Sequence, residues 1–454
     1  MDQALPRVMI AGTGSGCGKT TVTCAVLKSL SEKGLQVGAF KCGPDYIDPM
    51  FHSSILGSPS SNLDAFFFPE NTLKALLAKN GTGKDICVIE GVMGFYDGLG
   101  IDSARASSYD VARKTGTPVI LVLNAKGAAL SLLAVIRGFL DFLPENRIAG
   151  VILNRCSAGI YPKLAEMIRD HFANRVRPLG FLPDLPDCSL ESRHLGLVTA
   201  AEVADLSQRV KRLSEQAQKT VDLEGILQLA ESAQELTFQD VPLPHFADKI
   251  RIAAAQDRAF CFTYPDSTKV LEEMGAEIIP FSPLSDKSLP DNIDGLYLCG
   301  GYPELYAEKL SENAAMRTAI RSALETGLPC IAECGGFMYL TRDIAGYPMA
   351  GFLPGSCVNT GKLSRFGYIR LKAKSDNMLC EAGDEIPAHE FHYWDCSETG
   401  SDFNAAKVSG KNWDCIYAND RLYAGFPHFH FYANLKFAEH FYQACLRFRE
   451  GHHA

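Results

Sequence analysis

A short apolar run, Val8-Met9-Ile10-Ala11, breaks directly into Gly12-Thr13-Gly14-Ser15-Gly16-Cys17-Gly18-Lys19-Thr20-Thr21, and a helix-compatible stretch follows. Few folds accept a buried strand, a glycine-rich turn and a helix in immediate succession. The glycines let backbone N–H groups converge on phosphate oxygens, and the following helix adds its positive end. Lys19 is placed to reach the outer phosphates, Thr20 to offer a hydroxyl to Mg²⁺, and Gly14, Gly16, Gly18 and Thr21 to complete the cradle. ATP and Mg²⁺ are therefore the expected cofactors.

The rest of the first half repeats the pattern. Residues 36–41, Ile86-Cys87-Val88-Ile89-Glu90, Val119-Ile120-Leu121-Val122-Leu123 and Val151-Ile152-Leu153-Asn154 read as buried strands separated by helical segments. Continuous apolar runs of that length are expected for a parallel sheet covered on both faces. Ligands of such sheets bind beyond the carboxyl ends of the strands. Two loops there carry carboxylates: Lys41-Cys42-Gly43-Pro44-Asp45-Tyr46-Ile47-Asp48-Pro49 and Glu90-Gly91-Val92-Met93-Gly94-Phe95-Tyr96-Asp97-Gly98. Lys41, Asp45, Asp48 and Asp97 are candidate substrate residues, and Thr20, Asp64 and Glu90 candidate metal ligands. The bland reading of Asp45, Asp48 and Asp97 is that they stabilise turns beside Pro44, Pro49 and Gly98.

At 454 residues the chain is too long for one ordinary core. The alternation lapses around 231–248, where Pro242-Leu243-Pro244 marks a linker, and restarts with Ile250-Arg251-Ile252-Ala253-Ala254-Ala255. The reading is an α/β protein with a doubly wound domain over 1–230 and a second α/β domain over 249–454. The His452-His453 end reads as a disordered tail. A formal charge of −9 argues against nucleic acid or an anionic membrane as partner. The longest apolar stretch, 118–140, is interrupted by Asn124, Lys126 and Arg137, so a spanning helix is not expected. Fifteen cysteines, odd in number and scattered, fit reduced and mostly buried thiols in a cytoplasm. Oligomeric state is not legible from residues, and a homodimer is the working expectation.

The second half carries a different chemistry. Pro329-Cys330-Ile331-Ala332-Glu333-Cys334-Gly335-Gly336-Phe337 is an apolar run ending at a cysteine and two glycines. A strand turning sharply into a helix at that point would expose the Cys334 thiol as a nucleophile, with the helix N-terminus favouring the thiolate. A partner base is needed, and His428 in Phe426-Pro427-His428-Phe429-His430 is the candidate. Alternation puts His428 and His430 on opposite sides of a strand, so only one should meet Cys334. Gly300-Gly301 could supply backbone N–H donors to an oxyanion.

Together these segments resemble the cobyrinate a,c-diamide synthase family of corrinoid glutamine amidotransferases over nearly the whole chain. The matching elements are the glycine loop, Gly43-Pro44-Asp45-Tyr46-Ile47-Asp48-Pro49 with His52 following, and Ser61-Asn62-Leu63-Asp64. They continue through residues 90–98, Arg193-His194-Leu195-Gly196-Leu197, residues 300–304 and 333–340, His389-Glu390-Phe391-His392-Tyr393, and residues 428–431. The first glycine sits one place earlier than strict P-loop spacing, a departure shared with the dethiobiotin synthetase-like branch, which the loop resembles.

The resemblance implies a dethiobiotin synthetase-like ATP domain followed by a class I glutamine amidotransferase domain. It implies that L-glutamine and cobyrinate are the substrates, with ATP used to form an acyl phosphate at the c and then the a acetate. It also places the 389–393 segment near the macrocycle. Chemically similar macrocycles, Ni-sirohydrochlorin and hydrogenobyrinate, stay open. His430 stands where the usual amidotransferase pattern has an acid, so a Cys334–His428 dyad is the working arrangement. Asn124 and Cys299 replace the aspartate and proline usual in relatives. A switch ATPase would account for the first half but leaves Cys334-Gly335-Gly336 without a role, and a stand-alone thiol hydrolase ignores the phosphate loop.

Overall fold

The computed structural model of the chain describes residues 1–188, 190 and 206–453. The Arg193-His194-Leu195-Gly196-Leu197 motif lies outside the described residues. The chain divides into two compact units, Met1–Val241 and Pro242–Ala454.

The first unit is built on a seven-stranded sheet in which every pair is parallel. From one edge the order is Ser61–Leu63, Val37–Cys42, Ile86–Glu90, Arg7–Gly12, Val119–Asn124, Ile148–Asn154 and Arg177–Leu182. The central strands are apolar on both faces because both faces are covered. Val8, Ile10, Val88, Ile120 and Ile152 are fully buried and share one core with Val22, Ala25 and Val26 of the helix Lys19–Glu32. That helix starts immediately after the glycine loop, so its packing fixes the loop at the carboxyl end of the central strand.

Arg7, the first residue of that strand, is fully buried. Its guanidinium donates to the carbonyls of Leu5 at 2.9 Å, Thr115 at 2.6 Å and Gln234 at 2.5 Å, and to Thr117 Oγ1 at 3.2 Å. Burial pulls its pKa down to about 10. The Gln234 bond, together with the antiparallel pairing of Leu236–Thr237 with Asp2–Gln3, ties residues 234–237 to the first unit. The expected 231–248 linker therefore begins inside a packed segment, and the division falls between Val241 and Pro242. Sequence composition could not show this, because the tie is made by residues more than 200 positions apart.

The second unit has a six-stranded sheet in the order Ala276–Phe281, Ile250–Ala255, Gly295–Leu298, Cys330–Glu333, Leu422–Gly425 and Tyr417–Ala418, parallel except for the last pair. Beside it stands a five-stranded antiparallel sheet, Asn412–Cys415, Phe403–Ala406, Arg365–Ala373, Glu385–His392 and His428–Phe429. The C-terminal helix runs over Leu435–His453, so the expected disordered tail is helical through His453.

Cys357 and Cys396 face each other across the antiparallel strands Ser356–Asn359 and Trp394–Cys396 and form a disulfide. The thirteen other cysteines are free, and twelve of those are buried. The sequence reading expected reduced thiols throughout. It missed this pair because 39 residues separate the two cysteines and only strand pairing brings them together.

Arg7→Met should destabilise the protein by about 3 kcal/mol, because several buried carbonyls lose their donor at once. Urea unfolding of the full chain measures this, and an unchanged first transition would contradict it.

Candidate active site

In the first unit, Gly18 has φ +100, and a Cβ there would strike the side chain of Asn154. Asn154 in turn donates from Nδ2 to the Cys17 carbonyl at 3.0 Å and pins the loop from behind. Gly14 and Gly16 face the other way, with nothing within 4 Å of where a side chain would stand. The loop is thus crowded at Gly18 and open at Gly14 and Gly16.

Lys19, 8% exposed, folds back so that Nζ donates to the Gly14 carbonyl at 3.2 Å. Burial holds its pKa below the ordinary lysine value, and Lys41 adds repulsion against the pull of Cys17, Glu90 and Asp48. An under-compensated cation bent over an open amide cradle fits a bound polyphosphate.

Behind the loop, the sheet register sets Lys41 directly beside Glu90. Glu90 closes the strand Ile86–Glu90 and is fully buried. Its Oε1 accepts from Thr20 Oγ1 at 2.6 Å and Lys41 Nζ at 3.3 Å, and its Oε2 accepts from His52 Nε2 at 2.7 Å. Lys41 Nζ also donates to Asp48 Oδ2 at 2.5 Å and to the Gly91 carbonyl at 3.0 Å. Burial opposes both charges. The carboxylates of Asp48 and Glu90 nonetheless raise the Lys41 pKa, while Lys41, His52 and Thr20 depress that of Glu90. His52 Nδ1 lies 3.2 Å from Ser60 Oγ, which fixes the ring.

Thr20, Lys41, Asp48 and Glu90 therefore come together as a preformed polar cluster beside the glycine loop. The other three acids have local partners. Asp45 accepts from the N–H groups of Ile47 and Asp48, Asp64 from those of Phe66 and Phe67, and Asp97 from that of Gly94. Each spends a carboxylate oxygen on its own turn.

A hydroxyl and a carboxylate side by side are hard oxygen donors of the kind Mg²⁺ accepts alongside nucleotide phosphates. Among the described residues no group of three His, Cys, Asp or Glu side chains could hold a metal alone. Thr20 and Glu90 are a hydroxyl and a carboxylate of this kind, 2.6 Å apart beside the glycine loop.

In the second unit, Cys334 follows the strand Cys330–Glu333 with φ 48° and ψ −101°, a conformation L residues rarely hold. Its N–H donates to the Gly425 carbonyl at 2.7 Å. The turn is possible because Gly336 lies against the Leu298 carbonyl and Gly335 against Pro303 and the Gly301 N–H, where side chains would collide. Gly300 is equally restricted, since a Cβ would strike the His428 ring at Cε1. The helix after the turn, Gly335–Leu340, has only six residues, so its dipole is a small source of thiolate stabilisation.

The stronger source is His428, 3% exposed. Burial opposes its charge, but Cys334 and Glu333 together hold its pKa up at about 10. Glu333 Oε2 lies 3.4 Å from His428 Nδ1 and 3.4 Å from the Tyr297 hydroxyl, and Glu333 is 1% exposed. The Cys334–His428 dyad of the sequence reading thus has a carboxylate behind it, from the residue that precedes the cysteine. His430 is fully buried, accepts the Tyr432 N–H at Nδ1, and is pushed down to about 3 by burial. It belongs to the core.

A glycine cradle with a strand-terminal glutamate, joined in one chain to a strained cysteine with a histidine, defines a nucleotide-dependent amidotransferase class. Residues 8–198 match the CobQ/CobB/MinD/ParA nucleotide binding domain, and residues 251–435 the CobB/CobQ-like glutamine amidotransferase domain. Cobyrinate a,c-diamide synthase of Thermoplasma volcanium is 40% identical over 453 residues, covering 98% of each chain. The Clostridium acetobutylicum enzyme of the same name is 40% identical, covering 95% of this chain and 99% of its own. That of Listeria monocytogenes serotype 4b is 38% identical, covering 97% and 100%. The chain belongs to the cobyrinate a,c-diamide synthase family.

The roles of Glu333 and Asn154 and the His52–Glu90 contact were not read from the sequence. One signal was available: both Glu90 and Glu333 are lone acids ending apolar strand runs. For Asn154 no comparable mark exists, since its contact with the loop crosses 137 residues.

An imidazolium beside the thiol should make Cys334 the fastest of the free cysteines to react with iodoacetamide at neutral pH. Gly300→Ala, which crowds His428, should slow that alkylation about tenfold or more. Mass-spectrometric peptide mapping reads both, and equal labelling of Cys334 in the two proteins would contradict the arrangement.

Proposed function

We propose that the chain amidates the a and c acetate carboxylates of cobyrinate, with glutamine as nitrogen donor and ATP as energy source, in cobalamin biosynthesis. The observation that carries this reading is the Glu333–His428–Cys334 array in a chain that also holds the open glycine cradle. A carboxylate resists nucleophiles because its charge is delocalised, so it needs activation before an amide can form. When bound, ATP with Mg²⁺ supplies the phosphoryl group that turns one carboxylate oxygen into a leaving group.

The chain's own residues do the rest. Lys19 and the loop amides of residues 14–20 bind and orient the phosphates, and Thr20 with Glu90 would hold the ion. Asp64 is a further candidate ligand. Lys41, fixed by Asp48 and Glu90, presents a cation at the strand ends where the reacting acid would lie, with Asp45 and Asp97 in the neighbouring loops. In the second unit, Cys334 Sγ attacks the glutamine carboxamide carbon. The N–H groups of Gly300 and Gly301 would stabilise the oxyanion. The C–N bond breaks as His428 gives its proton to the leaving ammonia, and water then hydrolyses the thioester to glutamate. Ammonia displaces phosphate from the activated acid. Glu333 keeps the imidazole ring oriented and favours its charged form.

Among the described residues no helix is long and apolar enough to cross a membrane. Thirteen free thiols against one disulfide support a cytoplasmic location.

Cys334→Ala should abolish diamide formation from glutamine while leaving formation from ammonium ion intact, and Lys19→Ala should lower both by more than about 100-fold. Parallel assays with cobyrinate, hydrogenobyrinate and Ni-sirohydrochlorin check the acceptor, and full glutamine-dependent activity in Cys334→Ala would remove the thiol from the mechanism. Glu333→Gln should cut glutamine hydrolysis about 100-fold. Because the Glu333 carboxylate raises the His428 pKa, its loss should also move the alkaline limb of the kcat/KM profile to lower pH. An unmoved limb would make Glu333 merely structural.

A further inference from the structure

One end of the antiparallel sheet in the second unit breaks the core pattern. Along the buried face, Ile369, Leu371, Ile386, Ala388 and Ala405 are apolar, as a core face should be. The same face then continues into Arg365, Glu390, His392 and Trp413, by two-residue alternation and by the pairings Arg365↔His392, Gly367↔Glu390 and Ala405↔Trp413. Glu390 is 1% exposed, yet neither of its carboxylate oxygens has a hydrogen-bond partner. Arg365 Nη1, in an ion pair 3.8 Å from Glu390 Oε1, and Trp413 Nε1 are buried without hydrogen-bond partners as well. Buried polar groups left unsatisfied cost free energy, and the Arg365 and Trp413 N–H groups are donors that a ligand acceptor would complete.

The cluster borders a cavity of about 360 Å³ lined by Arg365, Phe366, Lys407, Lys411 and Trp413. Three cations and no acid line it, in a chain with nine more acidic than basic residues. The Arg365 guanidinium lies 4.8 Å over the Trp413 ring, and Phe366 is 48% exposed at the rim. Burial pushes the Glu390 carboxyl up to about 7, against the pull of Arg365 and Lys407, so near neutrality the acid beside the cavity is only partly ionised. His392 stacks on Phe426 at 4.0 Å, and Phe426 packs on Phe337 of the turn that carries Cys334. Aromatic contacts thus run from the His392 end of the cluster to the helix that follows Cys334.

We propose that this pocket binds a carboxylate arm of a flat, polyanionic ligand, with Arg365, Lys407 and Lys411 on the carboxylate and Trp413 and Phe366 against the ring edge. Bidentate and charge-assisted bonds from Arg and Lys match a carboxylate, and an indole face matches a conjugated rim. The cavity holds one arm and an edge, not a whole macrocycle. This rests on the function proposed above, under which the arm belongs to the tetrapyrrole. The same chemistry could come from free glutamate, a dicarboxylate that the enzyme releases.

The chain has two tryptophans, Trp394 and Trp413. Trp394→Phe leaves Trp413 as the only indole, and its fluorescence is titrated with cobyrinate and, separately, with glutamate. Cobyrinate should quench it saturably. Adding Lys407→Ala and Lys411→Ala should raise Kd and KM for cobyrinate about tenfold, with the thermal transition retained, and arginine at both positions should restore binding. Equal Kd values in all variants, with diamide still formed, would overturn the pocket while leaving the proposed function standing. Neither quenching nor diamide from wild type would overturn both. Lysine-dependent quenching by glutamate alone would keep the carboxylate site but assign it to the free dicarboxylate.

Discussion

Each half of the chain ends a buried strand with a buried glutamate, and the local structure is organised around compensating that charge. An ionised carboxylate out of water costs several kcal/mol unless cations and donors surround it. Glu90 has Lys41, His52 and Thr20 around it, and Glu333 has His428 and Tyr297. In both cases the compensating group is also one that the proposed chemistry uses. Lys41 is held charged where an acidic substrate would lie. His428 is held charged where a thiol must lose its proton.

This arrangement follows from parallel sheet geometry. Consecutive strands deliver their carboxyl ends to one edge, so residues far apart in sequence meet there without long loops. Lys41 and Glu90 are register partners, and Glu333 pairs with Gly425, three residues before His428. The tight turns that follow depend on glycine: Gly18 against Asn154 in one unit, and Gly336 against the Leu298 carbonyl in the other. Positive φ at Cys334 has no glycine to absorb it. The strain is held by the bond to Gly425 and by the packing of the short helix after it.

Much of this was legible in the residues. Continuous apolar runs marked the parallel strands, and glycine-lysine-threonine and cysteine-glycine-glycine marked the two turns, because each depends on chemistry within ten residues. What escaped were relations set by register. The tie of residues 234–237 to the N-terminal strands, the Cys357–Cys396 pair and the carboxylate behind His428 all arise between distant segments. Asp45, Asp64 and Asp97 show the converse. They were candidate substrate or metal residues, and each also accepts from an N–H group of its own turn.

The central claim is that nitrogen freed at Cys334 becomes amide nitrogen on an acid activated at the glycine cradle. Glutamine labelled with ¹⁵N at its side-chain amide, supplied with ATP, Mg²⁺ and cobyrinate, tests it directly. The account predicts a diamide carrying two labelled nitrogens, with one glutamate and one ADP formed per amide. Unlabelled product, or glutamate and ADP released with no diamide, would contradict it.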